Sequence, residues 1–221
     1  MMYRIIKRTG DFLIALILLI LLSPLLIPLV ILLKLTGEGY VFYFQRRIGF
    51  RNQPFDIWKF ATMLKDSPNI GTGLITLRND PRLTPFGGFL RKTKLNEVPQ
   101  LINVLIGNMS FVGPRPLVKK TFDYYTDDVK EKIYLSKPGI TGIGSVIFRD
   151  EEALISNSKL PPDQFYSEVI SPYKGALELW YLRRKSVWVD LLILFLTAWV
   201  IVFPESRLPY KVFKDLPARN F

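Results

Sequence analysis

No residue between Phe12 and Leu33 carries a charge, and the run FLIALILLILLSPLLIPLVILL constrains the fold more than any other feature. A helix rises about 1.5 Å per residue, so such a stretch covers a bilayer hydrocarbon core of about 30 Å. It reads as a membrane segment. A cleaved leader is not expected, because the apolar run is too long and no small-residue cleavage site precedes the polar KLTGEG. The interior of the run argues against a simple rod. Pro24 has no amide hydrogen for the carbonyl of Ile20 and its ring crowds that turn, and Pro28 repeats the fault one turn later. A kink or break is expected near Ser23, whose hydroxyl can satisfy a backbone group freed by it.

Basic residues flank both ends: Arg4, Lys7 and Arg8 before the run, Lys34, Arg46, Arg47 and Arg51 after it. Lys and Arg collect on the cytoplasmic side of membranes, and here they favour neither end. A helix-break-helix over residues 1–36 that enters and leaves by one face keeps both clusters on the same side, and is preferred to a kinked span. A second apolar stretch, Val187 to Phe203, carries Asp190 and is short for a span. Its Trp188 and Trp199 suit a helix lying at the interface, and its apolarity also suits a buried helix; interface or core is preferred to a second span.

The 221 residues leave room for one ordinary domain beside the membrane segment, and residues 37–221 are read as that domain. YVFYFQRRIG and PFDIWKFATM have the aromatic and β-branched content of two short strands, joined by the turn-prone FRNQ. The stretch DSPNIGTGLITLRNDPRLTPFGG reads as a loop, broken by Asp80-Pro81 and Gly87-Gly88, and FLRKTKL as a short basic amphipathic piece. NEVPQLINVLIGN reads as a helix with Asn96 as N-cap, Pro99 in the first turn and Gly107 ending it. In GPRP, prolines on both sides of Arg115 present one guanidinium rigidly. DQFYSEVISPYKGALELWYLRRK reads as helical with a break near Pro172. The fold class expected is α+β, mainly helical, with a small β-hairpin and the re-entrant anchor.

Thirty Lys and Arg stand against 19 Asp and Glu, a net charge of +11, so the partners expected are anionic: phosphates, nucleic acid or an acidic lipid surface. No helix-turn-helix, RNA-binding or zinc pattern accompanies that charge, and nucleic acid is not expected as a partner. The chain has no Cys and no His, which removes disulfides, thiol nucleophiles, the usual zinc sites and every Ser-His mechanism. Carboxylates, Lys, Tyr or a hard metal ion remain.

KRTGDF with the Ser23-Pro24 break, FQRRIG, PFDIWKFATM, NDPRLTPFGGFLRKTKLNEVPQLINVL, GNMSFVGPRP and KPGITG follow one another over nearly the whole chain. In this order they resemble the bacterial sugar transferase family, the monotopic phosphoglycosyl transferases that begin polysaccharide and glycan assembly. The resemblance implies a re-entrant membrane helix in the bacterial cytoplasmic membrane and a cytoplasm-facing domain. It also implies Mg²⁺-dependent transfer of a sugar 1-phosphate from a nucleoside diphosphate sugar, UDP-sugar being expected, to a polyprenyl phosphate such as undecaprenyl phosphate, releasing the nucleoside monophosphate. In the family an Asp-Glu dyad acts, and the Asp carboxylate attacks the β-phosphorus to give a covalent phosphosugar enzyme.

This chain reads Asn96-Glu97 at the dyad. An amide is a poor nucleophile, so Asn96 cannot simply take the Asp role. Asn108 also stands where an acidic residue is common in the family, and Ala61 where a basic one is frequent. By the resemblance, Glu97 is the carboxylate expected to do chemistry, as surrogate nucleophile or Mg²⁺ ligand, with Asn96 as a polar contact to phosphate or metal-bound water. Arg91 and Arg115 match the family's phosphate-contacting arginines, and Lys59 is a further candidate for substrate phosphate. Asp150, Glu151 and Glu152 form a charge run set aside as exposed. Two readings stay open: a transferase using Glu97 or direct attack by the lipid phosphate, and a catalytically silent member serving as a membrane-bound ligand-binding or scaffold protein. The sugar, the lipid and the oligomeric state are not legible.

Overall fold

The computed structural model describes residues 2–36, 38–67, 82–149, 151–219 and 221. The turn-rich stretch around Asp80-Pro81 lies outside the described residues, as does Asp150. The described residues are mostly helical, with two pairs of short strands among them. Its first helix, α1 (Met2–Leu35), stays helical through both prolines. Ser23 Oγ donates to the carbonyl of Ile20 at 2.7 Å, the carbonyl that Pro24 leaves without an amide. The expected defect near Ser23 is therefore met by a side-chain hydrogen bond and not by a lapse in the helix. α1 is long and apolar enough to cross a membrane, and only 6% of its most apolar window is buried, so it is not a core helix of the described chain.

β1 (Phe42–Ile48) and β2 (Pro54–Phe60) form the expected hairpin, closed by a 3₁₀ turn at Phe50–Asn52 in which Arg51 and Asn52 take φ of 55° and 59°. There follow α2 (Gly87–Lys92), α3 (Gln100–Ile106), β3 (Ser110–Val112), α4 (Lys119–Asp123), α5 (Asp127–Lys132) and β4 (Gly139–Thr141). The chain closes with α6 (Ile143–Ile147), α7 (Glu151–Ser156), α8 (Pro162–Phe165), α9 (Ser171–Arg184), α10 (Val187–Val202) and α11 (Leu208–Val212). Gly87-Gly88, read as a loop, instead opens α2. Gly87 is needed there because a Cβ would lie 2.0 Å from the backbone oxygen of Thr62.

Two compact units emerge. The smaller is drawn from Phe12–Gln45 and Asp56–Ile106. Its core joins Leu33 of α1, Phe60 of β2 and Leu90 of α2, all nearly solvent-free. Asn103 of α3 ties itself to the hairpin by accepting from the Trp58 amide at 2.9 Å and donating to the Asp56 carbonyl at 2.8 Å. A fully buried Asn is tolerable because both ends of its amide are bonded.

The larger unit takes the residues up to Asp11, Arg46–Phe55 and Gly107–Phe221. α9 and α10 supply half of the buried residues of its main core cluster, which also takes in Ile143 of α6 and Val112 of β3. Asp190 explains how an acid sits in the apolar α10: it is 8% exposed and accepts from Lys7 Nζ at 2.6 Å, Tyr3 Oη at 2.9 Å and Tyr181 Oη at 2.8 Å. One face of α10 buries Ile193, Leu196 and Val200 while Trp188, Leu191 and Phe195 on the other stay exposed, so the helix is core on one side and bare apolar surface on the other. Ahead of α9 the expected break near Pro172 is a π turn, Tyr166–Ile170, which joins α8 to α9 and gives the proline room in the first turn.

β3 and β4 pair in parallel, Ser110 opposite Gly139 and Val112 opposite Thr141. This seam brings GPRP and KPGITG together: the Gly139 amide donates to the Pro114 carbonyl and the Gly113 amide to the Thr141 carbonyl, both at 2.9 Å. A Cβ on Gly139 would stand 2.2 Å from the Gly113 nitrogen, so only glycine allows that approach. Behind the seam, Glu178 of α9 is 3% exposed, receives the Arg115 backbone amide, and leaves Oε2 without a partner among the described residues. Burial pushes its carboxyl up to about 8, against the opposing pull of Lys174 and the Arg115 amide. Burial also pushes Lys174 down, against its 2.6 Å ion pair with Glu151. Glu151, set aside as part of an exposed charge run, is thus a structural partner.

Asp190→Ala leaves the Lys7 ammonium and two hydroxyls without their shared acceptor, and is expected to cost about 3–5 kcal/mol; thermal melting of the purified variant measures it, and an unchanged transition would refute the role. Glu178 keeps its proton to about 8 when folded but only to its ordinary 4.5 when unfolded. In that window the folded chain binds more protons, so stability falls as pH rises. Glu178→Gln, with no proton to lose, is expected to gain on the wild type between those pH values by up to about 1.4 kcal/mol per pH unit. Parallel melting-temperature profiles of the two proteins would contradict this.

Candidate functional site

Asn96 and Glu97 do not begin an α-helix. After α2 the chain turns at Lys94, whose φ of 61° is left-handed, and Leu95–Glu97 form a 3₁₀ turn before α3 starts at Gln100. A left-handed non-glycine residue costs about 1–2 kcal/mol, a cost the rest of the fold has to offset. The N-cap expected of Asn96 is absent: it lies four residues ahead of α3, 8% exposed, and its Oδ1 has no hydrogen-bond partner among the described residues. A buried amide oxygen without a donor costs about 1–3 kcal/mol, the kind of atom a ligand or ion completes.

Lys59 of β2 lies across from the turn, its Nζ 3.7 Å from Glu97 Oε1, both side chains mostly buried. The pair puts one carboxylate and one ammonium side by side, able to meet an ion and a phosphate oxygen. Arg91, in the last turn of α2, anchors Nε on Thr62 Oγ1 at 3.0 Å. Lys59, Arg91, Asn96 and Glu97 thus all belong to the smaller unit. A depression in that unit, lined by Leu33, Glu38, Ala61, Met63 and Thr84 among others, contains none of the four. Ser23 and Pro24 lie in the same unit, on the exposed part of α1.

Arg115 belongs to the larger unit. Its neighbours Pro114 and Pro116 are buried while Arg115 itself is exposed, as the sequence frame implied. The backbone around it is held from several directions. Tyr134 Oη donates to the Arg115 carbonyl at 2.8 Å and accepts the Leu117 amide at 3.0 Å. Arg47 Nη1 donates to the Pro116 carbonyl at 3.3 Å. With the Gly139 seam and Glu178 added, every residue from Gly113 to Leu117 has its backbone bonded.

Sequence reasoning missed Tyr134, Lys174 and Glu178. Lys174 and Glu178 lie four apart on α9, a spacing that reads as an ordinary surface pair, and only burial distinguishes it. Among the described residues no three acidic side chains gather to hold a metal. The oxygen donors on offer near the turn are the Glu97 carboxylate and the Asn96 amide.

The bacterial sugar transferase model matches residues 2–204. The undecaprenyl-phosphate galactose phosphotransferase of Salmonella typhimurium is 35% identical, covering 90% of this chain and 41% of its own length. The UDP-glucose:undecaprenyl-phosphate glucose-1-phosphate transferase of Escherichia coli K12 is 36% identical, covering 88% and 39%. The exopolysaccharide production protein ExoY of Sinorhizobium fredii is 33% identical, covering 86% and 83%. The chain therefore spans about two fifths of the first two relatives and most of the third. With this match running from the first turn of α1 to just past α10, in the motif order read above, the chain belongs to the bacterial sugar transferase family.

Proposed function

We propose that this chain transfers a sugar 1-phosphate from a UDP-sugar to undecaprenyl phosphate, releasing UMP, at the cytoplasmic face of a bacterial membrane. The observation that carries the reading is the Lys59–Glu97 pair next to Asn96, whose Oδ1 has no partner among the described residues, in a chain whose relatives are named for such transfers.

An amide has no free charge or localised lone pair with which to attack phosphorus, so no covalent intermediate forms on Asn96. An oxygen of the lipid phosphate attacks the β-phosphorus of the donor directly. A new P–O bond forms, the bond from the β-phosphorus to the bridging oxygen breaks, and UMP leaves with that oxygen. Arg91, steadied on Thr62, offers its guanidinium to the phosphate oxygens. Lys59 adds a second cation beside Glu97.

One carboxylate and one amide oxygen suit a Mg²⁺ ion that arrives with the diphosphate and keeps several waters, better than an ion caged by protein alone. Glu97 and Asn96 would hold it, and when bound it offsets charge on the diphosphate. The basic residues at both ends of α1 favour a helix bent at Pro24, both ends facing the cytoplasm. Labels before Arg4 and after Lys34 that react from opposite sides of the membrane would exclude that topology.

A second reading rests on Asn96 alone: a silent member that binds the same ligands. With Mg²⁺ and a panel of UDP-sugars, UMP release is expected only when undecaprenyl phosphate is present, and Glu97→Gln is expected to reduce it about a hundredfold or more. UMP formed without the lipid would rule out direct attack. Full activity in Glu97→Gln would remove Glu97 from the chemistry. Silence of the native chain, with turnover restored by Asn96→Asp, would establish the second reading.

A further inference from the structure

Gly107, at the end of α3, has a φ of +91° and no side chain, and two cations have moved into the space that leaves. Arg8 Nη2 and Lys137 Nζ each lie 3.2 Å from the point where a Cβ on Gly107 would stand, and so no more than twice that from each other. All of these residues belong to the larger unit. Like charges at this separation repel, and more so where water is partly excluded. Lys137 feels both effects: burial lowers its pKa first, Arg8 lowers it further, and Asp11 offers only a partial counterweight. Asp11 is buried to 8% exposure, and its Oδ1 accepts the Phe111 amide at 3.2 Å. The neighbourhood is cationic beyond this pair, since Arg4 and Lys7 add to burial in lowering the pKa of Lys185.

Depth along α1 narrows the ligand. Arg8 precedes the first residue of the apolar run, Phe12, by four positions, about 6 Å of helix. The polar layer of a bilayer adds about 5–8 Å outside each edge of the hydrocarbon core. With the apolar run in the core, Arg8 and Lys137 stand at the level of lipid phosphates, and a guanidinium beside an ammonium matches the oxygens of a phosphate ester.

We propose that Arg8 and Lys137, converging over Gly107, form a binding site for the phosphate group of a membrane lipid. This goes beyond the transfer reaction and needs only that α1 lies in the membrane, so its test does not depend on activity. Both a phospholipid headgroup and a polyprenyl phosphate carry this chemistry, and the test separates them.

The full chain in detergent is melted alone, with added phosphatidylglycerol and with added undecaprenyl phosphate, and the lipid adducts are counted by native mass spectrometry. Lys137→Gln removes a repelled charge, so the lipid-free protein should melt at the same temperature or higher, a change no structural cation would produce. The lipid-induced rise in melting temperature should vanish and the adduct should weaken about tenfold or more, with Lys137→Arg restoring both. Loss for phosphatidylglycerol alone assigns the site to a phospholipid, loss for undecaprenyl phosphate alone to the polyprenyl carrier, and loss for both to the phosphate whatever its tail. Unchanged binding of both lipids, or a lower lipid-free melting temperature, overturns the proposal.

Discussion

The carboxylate of Asp190 is the point on which the larger unit depends. It gathers Lys7 and Tyr3 from the first turns of α1 and Tyr181 from α9, and Tyr181 reaches on to the Val112 carbonyl of β3 at 3.3 Å. One acid thereby fixes the start of an apolar helix against two core helices and a strand. Its burial is tolerated because one ammonium and two hydroxyls donate to it.

A second constraint is the approach of backbone to backbone where GPRP meets KPGITG. Glycine at 139 permits the parallel pairing, the pairing bonds the Pro114 carbonyl, and Tyr134 and Glu178 bond Arg115 from the other sides. The outcome is an exposed guanidinium on a loop whose backbone is hydrogen-bonded at every residue. If Arg115 holds phosphate, as the family resemblance implies, it benefits from this arrangement, because the entropy of ordering its backbone is already lost in folding. Glu178 keeps its place there as a neutral acid, since an ionised carboxylate with an unpartnered oxygen would be far costlier at that depth.

Much of this was legible residue by residue. The hairpin followed from aromatic and β-branched strands around FRNQ, and the end of α3 from Gly107. The rigidity of Arg115 followed from its two prolines. What escaped were features made by contacts between distant segments. Asn96 looked like a helix cap because Asn commonly is one, yet the left-handed Lys94 delays the helix to Gln100 and leaves the amide buried. Gly87-Gly88 looked like a breaker until the Thr62 backbone was seen to need the room. At Pro24 the local reading served in part: the helix does not break, and the Ser23 hydroxyl covers the carbonyl that the proline orphans, as expected of it.

By itself the sequence determined that the chain carries an uncharged segment of membrane length, that its chemistry excludes thiol and imidazole, and which motifs mark its family. Those follow from composition and local order, which need no neighbour to be read. Tertiary structure alone decided which charges are buried and with whom: Lys59 with Glu97, Lys174 with Glu151, Asp190 with Lys7, and Arg8 beside Lys137. The reason is physical. The energy of a charge depends on the water it has lost and on the groups it faces, and both are set only when segments far apart in the chain are packed together.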